Sequence, residues 1–239
     1  MPIEAPSSQQ MTIDGVVYNI HKSLGEGECA EVWSATTNEG QKVALKIFNC
    51  KRKPSPCDTR SKYNHYGKTR DGSEIVFSEV KEKGNVHPFL IKFFLLGKSG
   101  DQWVLVTELA EGVSLRAFIE KNKGDIDALS KAIFEFGRYL RQWHNADFAH
   151  GDPHLNNVMY DQGNATVRLV DLNMIHHPDF YYCKEYCCFD RSKPANRFRE
   201  DMRNDSGKVG PGFLAEIEEL EVKISCGSAL SQSFLKGYC

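Results

Sequence analysis

The chain has 239 residues, and its 30 Lys and Arg against 32 Asp and Glu leave a formal net charge of −2. That balance predicts neither a nucleic-acid partner nor a charged membrane surface. No apolar run approaches the ~18 residues of a membrane span, and the polar start Met1 to Gln10 lacks the apolar core of a secretory signal, so a cytosolic protein with its eight cysteines as free thiols is expected.

In chain order, residues 1–10 read as a flexible tail. Met11 to Phe48 alternates apolar and polar residues around the Gly25/Gly27 and Asn38-Glu39-Gly40 turns. This predicts a three-strand meander built on Val16 to Tyr18, Glu31 to Trp33 and Val43 to Phe48. Residues 51–70 set Lys51, Arg52, Lys53, Arg60, Lys62, Lys68 and Arg70 against the single acid Asp58, with Pro54 and Pro56 opposing regular structure. They read as an exposed basic insert. A helix is expected over 72–84, carrying Glu74, Glu79 and Glu82, then strands over 91–96 and 103–106 around a turn at 98–101. Leu129, Ile133, Phe136, Leu140 and Trp143 recur at helical spacing, predicting a long core helix from Ile126 to Asp147. Farther on, Tyr181-Tyr182, the Cys183 to Cys188 cluster and Arg197 to Arg199 suggest a short helix or two, and Phe213 to Ile224 reads as an acidic amphipathic helix with Glu216, Glu218, Glu219 and Glu221. Cys183, Cys187 and Cys188, behind His176 and His177, lack the paired spacing of structural zinc and read as packing thiols.

The most informative segment follows the long helix. His150-Gly151-Asp152 leads by five residues from Asp152 to Asn157, and Asp171 stands beyond a short hairpin in Leu169-Val170-Asp171-Leu172-Asn173. Phosphoryl transfer needs a carboxylate to receive the acceptor hydroxyl's proton, oxygen ligands for magnesium and a lysine on the nucleotide phosphates. Asp152, Asn157 and Asp171 are residues of the first two kinds. Upstream, Gly25 and Gly27 have the spacing of a phosphate-covering loop, and Lys46 lies in the strand Val43 to Phe48. A lone glycine pair is weak evidence; the order of glycine loop, strand lysine, HGDxxxxN and hairpin aspartate is stronger.

On these residues the chain, over about 15–175, resembles protein kinases, and among them the minimal kinases that bacteria deliver into host cells by type III secretion, of the OspG, NleH and HopBF kind. The resemblance implies an α+β fold in two lobes: a β-rich N-lobe with hinge over 11–109 and a reduced helical C-lobe over 110–239, with no recognisable APE segment. It implies ATP and Mg2+ as cofactors, Asp152 as the catalytic aspartate, Lys46 on the phosphates and Asn157 and Asp171 as metal ligands. Gly25, Gly27, Val32, Ala44, Thr107 as gatekeeper, and the backbone of Glu108, Leu109 and Ala110 would meet the nucleotide. Glu79 is the favoured partner of Lys46, and Asp205 is a candidate brace for the catalytic loop.

The same resemblance implies a Ser/Thr kinase, expected to be monomeric, that acts on a host protein, such as the chaperone Hsp90 or a protein of the ubiquitin pathway, after secretion into the host cytosol. Three departures stand out. Gly151 replaces the usual arginine, so no cation is there to read a phosphorylated activation loop; His154 replaces the usual lysine; and Asp171-Leu172-Asn173 replaces DFG. His154 is shared with aminoglycoside and choline phosphotransferases, which keeps small-molecule transfer open, and a pseudokinase binding module is the third reading.

Overall fold

The computed structural model describes residues 9–26, 30–48, 90–172, 198–199, 201–203 and 211–239. Two compact units are formed, one from the residues up to His87 with Ile91–Leu109, the other from Pro88–Leu90 with Ala110–Cys239. The expected 72–84 helix with Glu79, the 51–70 insert, Gly27, Asp205 and Cys183 to Cys188 lie outside the described residues.

The first unit is an antiparallel sheet in the order β1-β2-β3-β4-β6-β5. Its strands are β1 (Gln9–Ile13), β2 (Val16–Glu26), β3 (Ala30–Thr37), β4 (Lys42–Phe48), β5 (Phe93–Ser99) and β6 (Gln102–Glu108). The meander therefore has four strands rather than three. Gln9 and Gln10, expected in the tail, pair with Ile20 and Asn19. The extra hairpin turns on Asp14 and Gly15, both at positive φ (46° and 85°), the backbone of the two-residue turns that match strand twist.

Alternation sets the core of this unit. Val43, Leu45 and Ile47 of β4 and Val104 and Val106 of β6 are buried with Ile13, Tyr18, Ile20 and Ala35. Each such aliphatic side chain contributes about 1.5–3 kcal/mol when fully buried. A one-residue slip would turn the whole set toward water, so this pattern fixes the register. The hairpin tip also binds β5: Asp14 N donates to Lys98 O, and Asp14 Oδ1 accepts from Lys98 N, each at 3.2 Å. Gly97 makes room for that carboxylate, because a Cβ there would lie 2.5 Å from Asp14 Oδ2.

The second unit begins with β7 (Val113–Ser114), which pairs with β8 (Val158–Asp161), itself paired with β9 (Thr166–Leu169). Ser114 caps α1 (Leu115–Lys121) by accepting from Ala117 N. Asp125 likewise caps α2 (Ile126–Asn145), whose Leu129, Ile133, Phe136, Leu140 and Trp143 are fully buried. The helix ends at Asn145, two residues before the expected Asp147, where φ of 60° marks the exit from helical geometry. The helix α3 (Phe213–Ile224) is followed by α4 (Ala229–Tyr238).

α2 and α4 cross with their backbones in near contact at two glycines. A Cβ on Gly137 would lie 2.2 Å from Phe234 O, and one on Gly237 2.1 Å from Phe134 O. No helix among the described residues is long and apolar enough to cross a membrane.

Candidate active site

In the first unit the pairing places Val32 opposite Lys46, Lys46 opposite Leu105 and Ala44 opposite Thr107. Paired residues share a face and every second residue of a strand returns to it. Val32, Ala44, Lys46, Leu105 and Thr107 therefore share the face of the sheet opposite Val43, Leu45 and Ile47. Gly25 pairs with Val32 and joins them. The Lys46 ammonium stands 5.9 Å from the centre of the Phe48 ring. Small apolar side chains beside one ammonium suit a flat heterocycle carrying phosphates. At the end of β6, Glu108 is used by the sheet: its N–H donates to Lys92 O at 2.8 Å, its Oε2 accepts from Lys92 N at 3.2 Å, and its carbonyl accepts from the Thr107 hydroxyl at 3.2 Å. Leu109 and Ala110 follow in half-buried positions.

In the second unit the loop between α2 and β8 carries the titratable groups. Asp152 is partly exposed, and its Oδ1 lies 3.3 Å from His154 Nε2. Asn157 Nδ2 donates to both the carbonyl of Asp152 (3.1 Å) and its Oδ2 (3.3 Å). With the nitrogen end of the amide used inside the loop, the oxygen end of Asn157 is the one available as a ligand. Val170 N donates to Asn157 O at 2.8 Å, in register with Val158 opposite Leu169. Asn157 and Asp171 consequently sit at the same open end of the β8–β9 hairpin. Asp171 holds a left-handed backbone, φ 59°. Such strain, of order 1–3 kcal/mol, persists where surrounding structure imposes it and concentrates at functional sites.

The loop is held from behind by two buried carboxylates. Asp201 Oδ2 accepts from His150 N at 2.6 Å and from His144 Nε2 at 3.2 Å, and its Oδ1 accepts from Gly151 N at 2.9 Å. Burial pushes the Asp201 carboxyl up, but the hydrogen bond and charge of His144, with the Gly151 amide, outweigh it and hold the group below its ordinary value. Glu216 Oε2 accepts from Leu155 N at 2.7 Å while its Oε1 accepts from Arg116 Nη1 at 2.6 Å. The His150 ring is buried, with Nε2 donating to Val170 O at 2.9 Å and Nδ1 accepting from Asp152 N at 3.3 Å. One tautomer satisfies both bonds. Gly151 itself turns at φ 76°, a conformation an L side chain adopts only with strain.

Residues 18–179 match the family model described as the protein kinase domain. The chain belongs to the protein kinase family. Members of this family are phosphotransferases that take ATP and usually Mg2+. This kinase is 27% identical over 158 residues to the carbon catabolite-derepressing protein kinases of Candida tropicalis and Candida albicans, covering 66% of this chain and 23% of each of those proteins. The namesake from Saccharomyces cerevisiae is 26% identical over 158 residues, with the same coverage. The chain spans about a quarter of the length of these curated relatives.

The residues of the kinase fit the implied metal in donor chemistry. Magnesium prefers oxygen donors, keeps several waters and is commonly held by one or two protein groups plus substrate phosphates. Asn157 and Asp171 offer such a pair, and no cluster of three or more His, Cys, Asp or Glu suited to a metal occurs among the described residues.

Sequence reasoning missed three residues that shape the site. The brace among the described residues is Asp201; the candidate named from sequence, Asp205, lies outside them. Glu216 was expected on the polar face of an acidic helix, yet it and Glu221 are buried. Glu221 Oε1 accepts from Leu230 N and Ser231 N at 2.6 and 2.8 Å, closing the start of α4. His144, on the long helix, is the third. Local sequence offers one hint of these roles: Glu216 and Glu221 stand among the apolar residues Leu214, Ile217 and Leu220.

Proposed function

We propose that the chain is an ATP- and Mg2+-dependent Ser/Thr protein kinase of the minimal effector type, acting on a host protein in the host cytosol. The observation that carries the reading is the Asp152 carboxylate, approached by His154 and Asn157 on its two oxygens, on a loop whose backbone amides are held by Asp201 and Glu216. In this proposal Asp152 orients the acceptor hydroxyl and takes its proton as the oxygen bonds to the γ-phosphorus and the bond to ADP breaks. Lys46 neutralises charge on the remaining phosphates, Val32 and Ala44 cover the base, and Asn157 and Asp171 hold the metal, which supplies charge neutralisation at the phosphoryl oxygens. Gly151 supports a kinase active without activation-loop phosphorylation, because no arginine is present there to bind the phosphate. The resemblance to minimal effectors supports a host chaperone or ubiquitin-pathway protein as substrate.

A second reading, transfer to a small molecule, is favoured by His154 Nε2 lying 3.3 Å from Asp152 Oδ1, where a kinase lysine is usual. Incubating the purified chain with γ-labelled ATP, Mg2+ and a eukaryotic lysate separates the readings. A labelled protein band that disappears with Asp152→Ala is the expected result. A labelled metabolite supports the second reading, and no Asp152-dependent label overturns both.

A further inference from the structure

The described part of the second unit contains a polar path, half-buried at one end and buried beyond it, whose outer members ordinary catalytic roles leave unused. It starts at the end of α4, where the Tyr238 hydroxyl is 2.5 Å from His144 Nδ1. The other ring nitrogen of His144 meets Asp201 Oδ2 at 3.2 Å, and that same oxygen accepts from His150 N at 2.6 Å. A carboxylate only accepts, so Nε2 of His144 carries a proton, and Nδ1 shares one hydrogen bond with the Tyr238 hydroxyl, which donates to a neutral ring and accepts from a charged one. The imidazole is held between Phe198, stacked at 4.5 Å between ring centres, and Tyr238, edge-on at 5.5 Å. Burial and the Asp201 charge both push the Tyr238 phenol up, so the hydroxyl stays protonated and available to this bond.

An apolar path runs alongside. Phe234 of α4 packs on Phe136, Phe136 on Phe213, and Phe213 edge-on against the His150 ring, at 5.4, 5.0 and 5.9 Å between centres. Both paths lead from the last helix to His150. Only the polar one ends on backbone amides of the loop that carries Asp152, and it depends on a single hydroxyl.

We infer that Tyr238 is a positioning residue for the phosphoryl-transfer loop, acting through His144 and Asp201 on the amides of His150 and Gly151. The inference rests on the kinase reading for its effect on rate, but not for its effect on the loop. Losing the hydroxyl frees the His144 ring to rotate, weakens the bond to Asp201 and lets the amides it holds open more often. A single net hydrogen bond of about 0.5–1.5 kcal/mol corresponds to a change of roughly two- to tenfold.

The test compares Tyr238→Phe with the wild-type chain by amide hydrogen exchange and by ADP release from Mg-ATP with casein as acceptor. The substitution keeps the ring, so packing survives. Exchange at His150 and Gly151 is expected to rise roughly two- to tenfold, while Leu155, held separately by Glu216, is unchanged. The kcat is expected to fall by a similar factor with KM for ATP unaltered, and Tyr238→Phe is expected to add nothing in a His144→Gln background. Wild-type exchange at His150 and Gly151 in Tyr238→Phe overturns the inference, as does a uniform rise across the unit, which would mark a purely structural residue. If the wild-type chain releases no ADP, the kinase reading fails while the exchange result still decides the role of Tyr238.

Discussion

Asn157 Nδ2 contacts both the main-chain carbonyl and the Oδ2 of Asp152, at 3.1 and 3.3 Å. One amide thus fixes the turn of the loop and one oxygen of the carboxylate, and in the proposed reading its own oxygen faces the metal. The two roles can be separated by substitution. Asp152→Asn preserves size and hydrogen bonding but removes the proposed acceptor of the proton, and transfer is expected to fall by at least about 10²-fold with the melting temperature nearly unchanged. Asn157→Ala removes the proposed ligand and releases Asp152, so it is expected to lower activity and make the residual rate more dependent on Mg2+ concentration. Steady-state rates over a magnesium titration check both. Wild-type turnover in Asp152→Asn would sink the assignment.

Asp201 predicts a specific acid sensitivity. Its carboxyl is held below the ordinary value of 3.8 in the folded chain, so it contributes stability that is present above the unfolded value and is lost as pH falls through the folded one. The stability gap between the wild-type chain and Asp201→Asn is therefore expected to be constant near neutrality and to shrink below about pH 4. Denaturant melts at several pH values measure it. A gap that widens on acidification contradicts the sign.

Glu216 supports the same loop from α3. It accepts from Leu155 N and from Arg116, itself half-buried. Hydrogen bonds to charged groups are worth about 1.5–3 kcal/mol, and removing the carboxylate leaves the buried Leu155 amide unsatisfied. Glu216→Ala is expected to destabilise the chain by about that amount and to lower kcat through the loosened loop. Glu216→Gln keeps an acceptor and is expected to recover much of both. Equal losses in the two variants would mean that charge, rather than the bond to Leu155, is what matters.

How legible this was in the sequence follows from the range of the forces involved. Alternation revealed the strands around Val43, Leu45 and Ile47, and helical spacing revealed the buried stripe of α2, because burial of one face is written at every second residue or every third and fourth. Asp14-Gly15 also carried a local turn signal that the meander reading passed over. The roles of Asp201, Glu216 and Tyr238 were not legible. Their partners stand 51, 61 and 94 positions away, and nothing in the neighbouring residues specifies a contact at such separation. The motif spanning Asp152 to Asn157 was readable for the opposite reason, since its geometry is closed within six residues.

Asp171 combines the metal-ligand assignment with a strained backbone, and the two can be tested against each other. At φ 59° an aspartate or asparagine is tolerated, whereas a β-branched residue is a true outlier costing of order 1–3 kcal/mol. Asp171→Asn keeps the backbone preference and an oxygen donor but removes the negative charge that would face magnesium. It is expected to fold with wild-type stability while transfer falls and the magnesium concentration for half-maximal rate rises. Asp171→Val is expected to lose activity as well and, in addition, to melt several degrees lower, at roughly 2–4 °C per kcal/mol for a chain of this size. Thermal melts with magnesium-dependent rates for both variants give the answer. If Asp171→Asn retains both the rate and the magnesium dependence of the wild-type chain, the left-handed turn is a structural feature and Asp171 is not the ligand.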